Sequence, residues 1–86
     1  MYTIIPAISG KQLIRLLERD GWARRESRRA QHGIALIKSF GDRTVVAIIP
    51  DTRASLPENT LHRILGVKQT GIRKKGMLEL LNKYGV

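Results

Sequence analysis

Two short runs near the middle of the chain constrain its fold more than any other feature. Ile34–Phe40 reads as a strand, Arg43–Ile49 is rich in β-branched residues, and only Gly41-Asp42 separates them. Branched side chains pack well on a pleated surface, and a two-residue Gly-containing connection joins antiparallel strands. The pair therefore predicts a β-hairpin, stopped at Pro50-Asp51. A lone hairpin is marginal in water, so it must be covered by other elements.

The flanking segments supply the cover. Ser9 is placed to cap a helix through its hydroxyl. Leu13, Ile14, Leu16 and Leu17 then form an apolar stripe, opposed by Lys11, Arg15, Glu18 and Arg19. Asp20-Gly21 ends that helix, with Gly21 free to turn left-handed. Trp22 follows and is expected to anchor a first strand against the core. After the hairpin comes a loop at 52–56, and Pro57 at the first turn opens a second helix. Leu61, Ile64 and Leu65 are its stripe, and Gly66 stops it. A polar connector leads to a third helix expected from about Lys75 to Tyr84, with Met77, Leu78, Leu80 and Leu81 on its apolar side. The expected class is α+β, a three-stranded antiparallel sheet with helices on one face and solvent on the other. With 86 residues the chain is read as one domain, its core spanning about 8–66 and a helical extension 67–86.

Charge sets the class of partner. Sixteen Lys and Arg against seven Asp and Glu leave a net charge of +9. Such a surface attracts polyanions, because each neutralised phosphate releases condensed counterions. An acidic protein or an anionic membrane surface would satisfy the same charge. Cysteine is absent, which excludes disulfides and thiolate-bound zinc. His32 and His62 lie 30 residues apart with no cysteine to join them, so neither a metal nor another cofactor is expected. No apolar run approaches the ~20 residues of a membrane span. The start of the chain lacks the basic region of a signal peptide, and a cytoplasmic location is expected.

The densest basic run is Arg24-Arg25-Glu26-Ser27-Arg28-Arg29-Ala30-Gln31-His32. In the expected topology it ends the first strand and leads into the second. Arginines on such a turn can grip phosphates bidentately, although a charged hairpin tip can also be no more than a solvated surface. His32 is the residue there able to move a proton near neutral pH. RNA cleavage needs a base for the 2′-hydroxyl proton, an acid for the leaving 5′-oxygen, and positive charge at the phosphate. A histidine among arginines offers parts of this, and a surface or hydrogen-bonding role is the alternative. His62 falls off the second helix's stripe and is expected to be structural and partly exposed. No serine triad, P-loop or dinucleotide fingerprint is present.

Taken together, three ordered motifs resemble the HicA-type toxins, small bacterial mRNA interferases paired with HicB-type antitoxins. Ser9-Gly10-Lys11-Gln12-Leu13 running to Gly21-Trp22 is similar to the family's opening. A basic strand, a histidine and a hairpin ending in proline follow, and Thr60-Leu61-His62-Arg63-Ile64-Leu65 is similar to its T-L-x-x-I-L signature. The likeness covers about residues 8–66. Where the family usually has Gly-Ser or Gly-Thr before its histidine, this chain has Ala30-Gln31. The resemblance implies a double-stranded-RNA-binding-like α-β-β-β-α fold and a metal-independent endoribonuclease that cuts mRNA. It also implies a HicB-like antitoxin partner, and the free toxin is expected to be monomeric. Matched by position, His32 would be catalytic. Arg28 and Arg29, with help from Arg24 and Lys38, are then expected to bind the RNA backbone. A non-catalytic RNA-binding module of the same fold is the alternative. The segment from Tyr2 to Ala7 and the helix after Lys75 exceed the shortest family members, and could extend the sheet or the core or meet the antitoxin.

Overall fold

A computed structural model describes residues 1–25 and 33–86. Its elements run α1 (Gly10–Arg19), β1 (Ala23–Arg25), β2 (Ile34–Phe40), β3 (Arg43–Ile49), α2 (Glu58–Leu65) and α3 (Arg73–Tyr84). The strands form one antiparallel sheet in the order β1-β2-β3. This is the α+β class expected, and both hairpin strands have the boundaries read from their composition.

Local chemistry explains each boundary. The Ser9 hydroxyl accepts from the Gln12 amide at 3.1 Å, and Gln12 Oε1 accepts from the Ser9 amide at 2.9 Å. This reciprocal capping box satisfies two donors at the start of α1. Gly21 then turns the chain at φ 97°. Between β2 and β3, Phe40 pairs with Arg43, and Gly41 takes φ 64° at the first turn position, as primed hairpin turns require.

The core lies between one sheet face and the helices. Leu13, Ile14, Leu16 and Leu17 of α1 meet Leu36, Ala47 and Ile49 of the sheet, with Trp22 sealing the edge. Trp22 is 2% exposed and packs edge-on to Phe40 at 6.2 Å. Register fixes the layering. Leu36 pairs with Ala47 and Ile34 with Ile49, so this column faces the helices, while Ala35, Ile37, Val46 and Ile48 belong to the opposite face. Close approach of α1 to β3 depends on Gly10, where any Cβ would overlap the Pro50 carbonyl oxygen.

Two expectations change in detail. First, α3 begins at Arg73, two residues before the expected Lys75. The Thr70 hydroxyl donates to the Ile64 carbonyl at 2.7 Å, and Gly71 at φ 69° redirects the chain, so helix can restart at once. Second, the hydrophobic core draws on both segments outside 8–66. Met77, Leu80 and Leu81 of α3 share the cluster with α1, and Tyr2 and Ile5 pack against it. Tyr2 and Asn82 tie the first residues to α3, the Tyr2 amide donating to Asn82 Oδ1 at 2.6 Å and Asn82 Nδ2 to the Tyr2 carbonyl at 3.1 Å. Both extra segments therefore enlarge the core rather than the sheet. No helix among the described residues is long and apolar enough to cross a membrane.

Candidate nucleic-acid interface

The arginine-rich segment is anchored at one end of the sheet. Arg25, its last described residue on β1, pairs with Ala35, and the chain is described again from Gly33 beside β2. Arg28, Arg29 and His32 of the expected site lie outside the described residues. Their anchors do not. Gly33 abuts β3 so closely that a Cβ there would come within 2.5 Å of the Ile49 carbonyl oxygen. The residue after His32 is thus pinned to the end of the sheet, and only glycine fits. Its φ is not left-handed, so the need is for space and not for conformation.

The amino end of α1 reaches the same end of the sheet. The Lys11 amide donates to the Thr52 carbonyl at 3.0 Å, and Lys11 Nζ donates to Asp51 Oδ1 at 2.8 Å. That bond holds the Asp51 carboxyl below its usual range.

Arg24 and Lys38, the two expected RNA ligands that are described, both lie on the helix side of the sheet. Arg24 pairs with Leu36 in the ladder. Its guanidinium makes two parallel bonds to Glu18 of α1, Nε to Oε2 and Nη2 to Oε1, each 3.2 Å. Those bonds, followed by the carboxylate's charge, raise its pKa above the ordinary arginine value. The side chain keeps 56% of its surface in solvent, so its charge remains accessible.

Lys38 is differently placed. Its ammonium donates to the Asp20 carbonyl at 2.6 Å and to Asp20 Oδ2 at 3.0 Å, and it lies 5.4 Å from the centre of the Phe40 ring. It closes the last turn of α1 onto β2, and its side chain is only 25% exposed. The structure does not bring Lys38 and Arg24 to one surface point. One serves the carboxyl end of α1 and the other reaches Glu18 on its flank.

The opposite face of the sheet is open and mostly apolar. Val46 and Ile48 are 43% and 38% exposed. Arg25 falls in this face's register column, beside Ala35 and across from Ile48. It is an exposed cation next to the anchored segment, and the sequence reading did not single it out. Strand alternation alone would have separated it from Arg24. His62 is exposed on α2, beside a groove in the helix layer, as its place off the apolar stripe implied. Among the described residues no group of three His, Cys, Asp or Glu could hold a metal ion.

Comparison with protein families, with curated proteins and with solved structures found no match to this chain.

Proposed function

We propose that this protein is an RNA-cleaving toxin of the HicA type, kept inactive by a HicB-like antitoxin. The observation that carries the reading is the order of elements. A capped helix, three antiparallel strands and a second helix follow one another, and the Arg- and His-bearing segment joins the first two strands. This order is compatible with the double-stranded-RNA-binding-like arrangement that the sequence motifs imply.

In the proposed reaction His32 takes the proton from a ribose 2′-hydroxyl. The freed oxygen attacks the adjacent phosphorus, the bond to the 5′-oxygen breaks, and that oxygen leaves with a proton from a general acid. The products are a 2′,3′-cyclic phosphate and a 5′-hydroxyl. Arg28 and Arg29, with help from Arg24, would offer charge to the phosphate as its negative charge grows. An antitoxin that silences such a site would cover His32 and carry acidic groups for the arginines.

The test is His32→Ala. Loss of a general acid or base costs ~10²–10⁴-fold in rate. The variant should fold like the parent by circular dichroism, permit growth when expressed, and leave RNA intact. Cleavage at the parental rate would remove His32 from the mechanism. The pair Ala30-Gln31, where the family usually has Gly-Ser or Gly-Thr, favours a second reading, an RNA-binding module without catalysis. Salt-dependent RNA binding by the parent protein, with no cyclic-phosphate product, would select it.

A further inference from the structure

The helix layer holds a groove of about 770 Å³ that takes no part in the proposed RNA site. Its walls are the first residues of the chain, α2, and the start of α3. Ile5, Leu61 and Leu65 line it, and Ile4 stands at its edge 70% exposed. The rim carries a net positive charge, because Arg73 and Lys74 of α3 stand against one carboxylate, Glu58, with His62 of α2 beside them. Among the described residues neither Arg73 nor Lys74 forms an ion pair.

We propose that this groove docks an acidic amphipathic peptide segment of a partner protein. The apolar lining asks for aliphatic side chains, and a volume of this size falls within the ~300–1,000 Å³ that takes a compact ligand. The rim selects carboxylates, since like charges at a rim repel a basic segment. RNA fits less well. Bases stack best on broad aromatic faces, and no Phe, Tyr or Trp lines the groove; its one guanidinium, Arg73, stands at the rim and not within the apolar walls. The proposal is independent of the RNA reading, because none of its residues belongs to that site.

Three fluorescein-labelled peptides test it on the intact chain. They share one Leu/Ile stripe at helical spacing and differ only in carrying Glu, Gln or Lys on the flanks. The Glu peptide should bind saturably by anisotropy and shift the amide resonances of Ile5, Leu61 and Lys74. The Lys peptide should bind at least about tenfold more weakly. Arg73→Glu with Lys74→Glu should weaken the Glu peptide by about tenfold, and the milder Arg73→Gln with Lys74→Gln should act in the same direction. RNA binding should be little changed in the Gln pair. Equal binding of all three peptides, no binding of the Glu peptide, or shifts confined to the sheet would overturn the proposal. So would loss of RNA or of phosphatidylglycerol-vesicle binding in the Gln pair with the Glu peptide unaffected.

Discussion

Replacing Lys38 with Ala asks whether this lysine serves the fold or the RNA. Its ammonium makes two bonds to Asp20, at 2.6 and 3.0 Å, with a quarter of each side chain in solvent. A hydrogen bond involving a charged group contributes ~1.5–3 kcal/mol. Partial exposure lets water replace some of that, so both bonds together should be worth about 2–3 kcal/mol. In a domain of this length each kcal/mol moves Tm by ~4–8 °C, so Lys38→Ala should melt roughly 10–20 °C lower. Lys38→Met keeps the apolar stem and loses only the ammonium, so it should fall between the parent and Ala. Thermal melts followed by circular dichroism give the answer. The RNA assay supplies the other half. A lysine on a phosphate of single-stranded RNA contributes ~0.7 to the slope of log affinity against log salt, and removing Lys38 should leave that slope unchanged. A Tm drop under ~4 °C, together with a shallower slope, would refute the structural role and restore Lys38 to the RNA surface.

Two further outcomes test the anchoring of the site. Gly33→Ala forces a Cβ against the Ile49 carbonyl, at a cost typical of overpacking, about 1–3 kcal/mol, read from the urea midpoint. An unchanged midpoint would mean that the start of β2 has room to spare. Lys11→Ala should return the Asp51 carboxyl from its lowered pKa to the ordinary aspartate range in a carbon-detected NMR titration. By linkage, the stabilisation from this pair is complete above the ordinary aspartate pKa and is lost as pH falls through the lowered one. An Asp51 titration that ignores the substitution would deny the link.

Readable features of the sequence are those decided by near neighbours. Ser9 and Gln12 are three apart and satisfy each other's backbone, so the start of α1 is written locally. The hairpin is equally local, since Gly41 alone supplies the turn's positive φ. The start of α3 carries no such mark. Arg73, Lys74 and Lys75 oppose the helix dipole, and neither a capping side chain nor an acid opens the helix. Its position follows from Thr70 reaching back to Ile64, a bond that spacing does not announce. The need for glycine at 33 is likewise a matter of space, set by a carbonyl sixteen positions away. Within the candidate site the basic run was legible as charge. Alternation along β1 separates Arg24 from Arg25, and the register adds which of the two shares the helix-facing column.

The surroundings of individual cations change what the net charge means for the proposed RNA surface. A formal excess of +9 counts every cation alike, whereas their environments do not. Lys38 is held in a quarter-exposed bond network that also satisfies a helix-terminal carbonyl, so a phosphate would have to replace both partners at once. Arg24 is bound to one partly exposed carboxylate, and an exposed ion pair of that kind is exchanged at small cost. A guanidinium already oriented for a bidentate acceptor can turn from Glu18 to a phosphate without new ordering. On the proposed reading Glu18 would hold Arg24 in the place of an RNA phosphate in the free protein. On the proposed reading Arg24 is the better placed of the two to reach a phosphate, and the reason is the solvent left around each pair.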